Sequence, residues 1–146
     1  MAHEARYYER LADGAVRCRL CPHGCRIRPG EVGLCRVRKN EGGTLFSLNY
    51  GRVTSVAVDP IEKKPLYHFY PGSGILSLGT LGCNFSCLFC QNWQISQEQA
   101  PTRSFSSEEA VGQAQASGSI GIAYTYNEPS IWFEYVFDTA VLEILV

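Results

Sequence analysis

The sequence predicts an α/β fold preceded by a small cysteine-rich region, and three observations carry that prediction. Two short apolar runs, residues 75–80 (ILSLGT) and 120–125 (IGIAYT), have the length and composition of buried strands. Helical signals lie between and after them, the order expected of parallel strands joined by crossover helices. Residues 18–35, in contrast, are dominated by cysteine, proline, glycine and arginine, and so read mostly as turns. The division falls near residue 70, with a cysteine-rich region over 1–70 and two β/α units over 71–146.

Taken in order, Ala5, Tyr8 and Leu11 recur near helical spacing and predict a short amphipathic helix over 4–11. Residues 44–49 (TLFSLN) and 52–58 (RVTSVAV) predict two strands around a Tyr50-Gly51 turn. Residues 59–69 (DPIEKKPLYHF) read as a loop opened by Pro60 and interrupted by Pro65. After the 75–80 strand, Gly82 ends the run, residues 83–90 form a loop, and a helix is expected from about Cys87 to Ile95. Ser106-Ser107-Glu108-Glu109 has the Ser-x-x-Glu spacing of a capping box and starts a helix to about Ala116. From Ser130 onward another helix follows, with Trp132, Val136 and Ala140 four apart. Two parallel strands cannot close a barrel or build a covered sheet. The chain also ends on an apolar helix end without a cap, Leu142 to Val146, so it reads as the front part of a larger protein.

Bulk properties narrow the classes. Hydrophobic residues are 45% and charged residues 18%, enough for an ordinary core. Thirteen Lys and Arg against fourteen Asp and Glu give a net charge of −1, which supplies no overall drive toward nucleic acid or an anionic membrane. The charge is uneven: residues 1–40 hold nine basic against four acidic residues, and the remainder four against ten. No run of apolar residues is long enough to span a bilayer, and the start of the chain has no apolar signal core, so a cytoplasmic location is expected. Seven cysteines, an odd number, in such a chain point to metal rather than disulfides.

The cysteines fall into two groups. Cys83, Cys87 and Cys90 are spaced C-x3-C-x2-C, so one loop can place three thiolates on three corners of an iron–sulfur cube. A fully protein-bound cube needs a fourth cysteine; with three, one iron stays open, as a catalytic zinc keeps an open position. An open iron can chelate a small molecule. Zinc is the bland alternative, although zinc sites usually pair C-x2-C with a second pair or with His. Cys18, Cys21, Cys25 and Cys35 are spaced C-x2-C-x3-C-x9-C and can close a tetrahedral zinc site or hold an auxiliary iron–sulfur cluster. His23 could stand in for one ligand. Arg17, Arg19, Arg26, Arg28, Arg36, Arg38 and Lys39 surround this knuckle, as a solvated face, an RNA-binding face, an attraction for an acidic protein, or electrostatic tuning of a nearby cluster.

Cys83, Cys87 and Cys90, with Phe89 before the last cysteine, resemble the signature loop of the radical S-adenosylmethionine (SAM) superfamily. Four stretches resemble one branch, the proteins named for the AmmeMemoRadiSam system, close to the enzymes that activate pyruvate formate-lyase. They are Cys18-Arg-Leu-Cys-Pro-His-Gly-Cys25, Asp59-Pro-Ile-Glu-Lys-Lys-Pro-Leu-Tyr-His-Phe69, Gly82-Cys-Asn-Phe-Ser-Cys-Leu-Phe-Cys-Gln-Asn92 and Tyr124-Thr-Tyr-Asn-Glu-Pro129. The resemblance implies the start of a radical SAM β/α barrel and a [4Fe–4S] cluster on Cys83, Cys87 and Cys90. It also implies SAM bound to the open iron and cleaved reductively to a 5′-deoxyadenosyl radical, with the Phe89 backbone along the adenine. Glu128 matches the acid of a Gly-Gly-Glu-like motif that holds the SAM amino group, with Tyr126 and Asn127 where glycines usually stand; Asn127 could itself hydrogen-bond SAM. Lys63, Lys64, Tyr67 and His68 could line the active-site mouth, and Gln91-Asn92-Trp93 could shield the cube, Trp93 more simply by burial in the first helix.

Further implications are hydrogen abstraction from a protein or small molecule, glycyl-radical installation in particular, and a low-potential electron donor such as flavodoxin or ferredoxin. Resembling proteins continue for several more strands, which carry the ribose and methionine contacts and the substrate pocket. Two other classes stay open: a non-enzymatic zinc knuckle contacting RNA, and an inactive truncated remnant.

Overall fold

The structure is a computed structural model that describes residues 3–144, with only the backbone described for Ile144. Its N-terminal half is made of short antiparallel strands. The stretch expected as a helix over 4–11 instead holds two of them, β1 (His3–Glu4) and β2 (Tyr8–Arg10). A helix this short is marginal in water, and strand partners satisfy its backbone better. Ala5 N–H reaches the Leu45 carbonyl at 2.8 Å, and Tyr8 pairs opposite Cys18. β3 (Val16–Cys18) and β4 (Arg26–Ile27) complete a sheet of order β2-β3-β4.

β5 (Arg38–Glu41) and β6 (Thr44–Ser47) form a two-residue hairpin through Gly42-Gly43, with β1 on the far side of β6. Both glycines have positive φ, 61° and 87°, the requirement of a type I′ turn. This corrects the expected hairpin of 44–49 with 52–58. The Tyr50-Gly51 turn offers one left-handed position, whereas Gly42-Gly43 offers two and wins the pairing. The segment after it splits into β7 (Arg52–Val53) and β8 (Ser55–Pro60), and β8 pairs antiparallel with β9 (Gly74–Gly79). Asp59 and Pro60, expected to open a loop, therefore end a strand, and Ile61–Lys63 is a 3-10 turn with Ile61 buried. The expected division at residue 70 falls between two hydrogen-bonded strands of one sheet.

The segment after β9 contains α1 (Trp93–Gln97), β10 (Arg103–Ser104) and α2 (Ser107–Ala116), and returns as β11 (Ile122–Tyr124). β11 lies parallel to β9, with Leu76, Ser77 and Leu78 opposite Ile122, Ala123 and Tyr124. The sheet order is β11-β9-β8, so an antiparallel third strand backs the two expected ones. α1 starts well after Cys87, because residues 87–92 are taken up by turns that carry Cys90. The α2 capping box is complete: Ser106 accepts from the Glu109 N–H, and the Glu109 carboxylate accepts from the Ser106 N–H. A 3-10 turn, Pro129–Trp132, leads into α3 (Phe133–Ile144). The last residues of the uncapped helix end expected from the sequence, Leu145 and Val146, lie outside the described residues.

Strand alternation separates the two faces of this sheet. Val56, Leu76, Leu78, Ile122 and Tyr124 face α2 and α3 and pack with Ala110, Ala114, Trp132 and Tyr135. The opposite face carries Ser55, Ala57, Asp59, Ser77, Gly79 and Ala123, small or polar residues, together with Ile75 opposite Asp59. The N-terminal strands are fastened to the helices by a buried ion pair. Arg38 donates to both Glu134 oxygens, at 2.8 and 2.6 Å, and to the Ile131 carbonyl at 2.9 Å. Their side chains are 2% and 0% exposed. Burial alone would raise the Glu134 carboxyl, but the Arg38 bonds and charge and the Arg6 N–H outweigh it and hold it below the usual range. Among the described residues, no helix is long and apolar enough to cross a membrane.

Candidate functional site

β9 delivers the chain to the cysteine loop at its carboxyl end, the end where open α/β sheets bind ligands. Two asparagines fix how the loop leaves. Asn127, just past β11, donates through its amide nitrogen to the Thr80 and Gly82 carbonyls at 3.0 and 2.6 Å. Asn92, just past the loop, donates to the Tyr126 carbonyl at 2.9 Å. Both ends of the 83–90 loop are thus tied to the Tyr124-Thr-Tyr-Asn-Glu-Pro129 stretch. Gly82 has φ +81°, and a Cβ there would stand 2.4 Å from the Cys35 carbonyl oxygen, so only glycine fits where the loop passes the knuckle.

Within the loop Cys83 is buried, Cys90 half-buried and Cys87 exposed. The Cys83 sulfur accepts from the Phe85 N–H at 3.4 Å, and the Cys90 thiol faces the Ser96 hydroxyl at 3.8 Å. Leu88 and Phe89 are almost wholly exposed, at 104% and 92%, and Trp93, expected to be buried in the first helix, is about half exposed. Among the described residues, no three Cys, His, Asp or Glu side chains already stand as a formed metal-binding group. The loop therefore supplies the three thiols on one short turn without gathering their sulfurs.

The structure gives the expected SAM contacts local partners. The Glu128 carboxylate accepts from the Ser130 N–H at 3.2 Å and caps the 3-10 turn, which is the ordinary role of an acid at a helix start. The Asn127 amide is engaged by Thr80 and Gly82 as described. Tyr126, where a glycine is usual in the resembling motif, has φ +73°, a left-handed conformation that a large side chain adopts only when its surroundings enforce it. They do: its hydroxyl donates to Asp59 at 2.8 Å, its carbonyl accepts from Asn92, and Lys64 lies over its ring at 5.2 Å.

These contacts line a cleft of ≈ 300 Å³ walled by Asp59, Lys63, Lys64, Gln91, Asn92, Thr125 and Tyr126. Lys63 and Lys64 each donate to one Asp59 oxygen, at 3.0 and 2.9 Å. Chiefly through Lys64, then Lys63 and Tyr126 against the opposing effect of burial, the Asp59 carboxyl is held well below the usual carboxylate range. The Tyr126 phenol is pushed up, by burial first and by Asp59 second. The sequence offered Lys63 and Lys64 as candidates but did not single out Asp59, which organises this cleft. The available signal was one acid followed at i+4 and i+5 by two lysines.

The second cysteine group lines a separate pocket. Cys18, Cys21, Cys25 and Cys35 share its wall with His23, Arg38, Asn84 and Ile131. Burial pushes up the Cys18 and Cys35 thiols, and each is further raised by neighbouring cysteines. His23, considered as a ligand, hydrogen-bonds the Asn84 carbonyl at 2.8 Å through Nε2. The basic residues around the knuckle mostly have acidic partners: Arg19 with Glu9, Arg26 with Asp13, Arg28 with Glu31, Arg38 with Glu134 and Lys39 with Glu41.

The three-cysteine loop thus stands at the carboxyl end of a parallel strand pair, beside a lysine-bearing cleft. The chain is 49% identical over 142 residues to an uncharacterized protein of Methanocaldococcus jannaschii, an alignment covering 95% of this chain and 43% of that protein. A second uncharacterized protein of the same organism is 35% identical over 81 residues, covering 55% of this chain and 19% of that protein. The chain thus spans less than half the length of either relative. No family model matches the chain. No solved structure matches it either.

Proposed function

We propose that Cys83, Cys87 and Cys90 hold a [4Fe–4S] cluster with one open iron, and that the chain forms the opening part of a radical SAM enzyme. The observation that carries this reading is the position of the three-thiol loop. It leaves the carboxyl end of β9 and is tied by Asn92 and Asn127 to the end of the parallel strand β11. The donor set fits: three thiols on one short turn, partly exposed, with no fourth cysteine of their own. Such a cluster, when bound, would supply the electron that cleaves the sulfur–C5′ bond of SAM chelated at the open iron.

The chain's own residues have defined tasks in this reading. Asn127 and Asn92 hold the two ends of the loop. Gly82 lets the loop pass Cys35 without a clash. Two lysines against one aspartate give the adjoining cleft a net positive charge suited to an anionic group. Glu128 keeps its second carboxylate oxygen for a cation such as an ammonium, since the capping bond uses Oε1. The exposed Leu88 and Phe89 supply apolar surface for the rim of a dry site. Hydrogen abstraction of the activating-enzyme type, and reduction by a flavodoxin or ferredoxin, belong to the same proposal.

Anaerobic reconstitution with iron and sulfide tests it. Four irons and four sulfides per chain are expected, with a charge-transfer band near the visible range that is lost when Cys83, Cys87 and Cys90 are all alanine. A cluster that persists unchanged in that triple variant refutes the assignment.

A further inference from the structure

The knuckle pocket contains two buried polar atoms that the rest of the protein leaves unpaired. Arg38 spends its two terminal nitrogens on Glu134 and Ile131, but its Nε–H has no partner. Asn84 engages His23 through its backbone carbonyl, while its side-chain Oδ1, also buried, has none. Both residues line the same pocket as Cys18, Cys21, Cys25 and Cys35. An unpaired buried donor costs about 1–3 kcal/mol. Two such atoms on residues that line one cavity mark a place where something else completes their hydrogen bonds. Because amide oxygen and nitrogen exchange by a flip, Asn84 can present an N–H donor to that cavity.

The pocket's chemistry specifies the guest. Four cysteines line it, their sulfurs not yet gathered as a formed metal group, and thiolate sulfur is the acceptor that an arginine Nε–H and an amide N–H would serve. The free space is ≈ 10 Å³, room for about one atom of water size rather than a cube of eight iron and sulfur atoms. We infer that Cys18, Cys21, Cys25 and Cys35 hold a single zinc ion, with Arg38 Nε and the Asn84 amide donating to its thiolates. On binding, the four thiols release their protons to solvent and the sulfurs close around the ion; no electron moves. Four thiolates and one Zn²⁺ carry a charge of −2, and Arg38 is the basic residue that lines this pocket.

Asn84 gives the zinc a second role. It follows Cys83 directly, so a donor bond from its amide to the knuckle fixes the start of the catalytic loop, alongside the His23 contact and the close passage of Gly82 over Cys35. The ion is an anchor for the three-cysteine loop as well as a staple for a region with little core of its own. The zinc assignment stands independently of the cluster proposal, while the anchoring role rests on it.

The test uses the full chain with Cys83, Cys87 and Cys90 replaced by alanine, purified without added metal and then offered zinc or iron with sulfide. One zinc per chain is expected, and X-ray absorption should give four sulfur neighbours at about 2.3 Å. Asn84→Ala should weaken zinc binding by roughly 10-fold or more, the usual loss for an outer-shell partner. A purely structural asparagine would leave the zinc affinity unmoved. Failure to take up zinc, nitrogen or oxygen in the first shell, or iron and sulfide retained by the knuckle would each overturn the inference. Because the triple variant lacks the loop cysteines, loss of the cluster proposal leaves this outcome readable. Should Asn84→Ala fail to fold, the cobalt-substituted triple variant decides by the intensity of its thiolate-to-metal absorption: strong for four sulfurs, weak for a sulfur-poor site, which again overturns the inference.

Discussion

Replacing Glu134 by glutamine removes one charge from the most deeply buried ion pair among the described residues. Arg38 makes two bonds to the Glu134 carboxylate and one to the Ile131 carbonyl, and Glu134 also accepts from the Arg6 N–H at 2.9 Å. With one partner neutralised, the other charge stays at 2% exposure without compensation. Breaking such a pair costs about 3–5 kcal/mol, whereas replacing both members by apolar groups is often neutral. Against a typical total of about 5–15 kcal/mol, each single change removes a large share. Urea unfolding at fixed metal content should therefore place Glu134→Gln and Arg38→Met about 3–5 kcal/mol below the parent. Arg38→Met/Glu134→Leu together should cost far less than the sum, a coupling typical of direct partners. Because the folded Glu134 carboxyl sits below its ordinary value, its contribution is present above that value and is lost as pH falls through the folded one. Single variants that lose less than about 1 kcal/mol, or a double variant that loses the full sum, would refute the reasoning.

Three further outcomes follow from other contacts. Gly82→Ala should destabilise by about 2–5 kcal/mol, from a left-handed residue given a Cβ and a backbone clash with Cys35, measured by thermal unfolding. Ser106→Ala should cost about 1 kcal/mol by removing the α2 capping box, with helix content lost first in that segment by hydrogen exchange. Asp59→Asn should flatten the acid side of the stability profile. The parent gains stability from Asp59 above the ordinary carboxylate value and loses it as pH falls through the depressed folded value. The variant has no such group to protonate, so an unchanged acid limb contradicts the Asp59–Lys63–Lys64 assignment.

The two parallel strands were legible because short-range chemistry specifies them: an apolar run between glycines reads as a strand on its own. The α2 start was legible for the same reason, since a capping box is complete within four residues. What the sequence hid was partner choice. The helix expected over 4–11 became two strands because Leu45 and Cys18 supply backbone partners far along the chain. The strand at 55–60 left its expected hairpin because Gly42-Gly43 captured 44–47 and β9 offered Val56 a buried face. Asp59, Arg38 and Glu134 were invisible as site and core residues, since a charged residue in sequence carries no mark of the partner that allows its burial. Tyr126 is the opposite case. Its place in a glycine position was visible, but the Asp59 bond that holds it there was not.

The most direct measurement is the Mössbauer spectrum of the anaerobically reconstituted chain, taken before and after SAM is added. The account predicts that one iron of the cluster shifts toward higher coordination while the three cysteine-bound irons stay alike. A spectrum in which every iron is equivalent and unmoved by SAM would contradict an open iron at the Cys83, Cys87 and Cys90 loop.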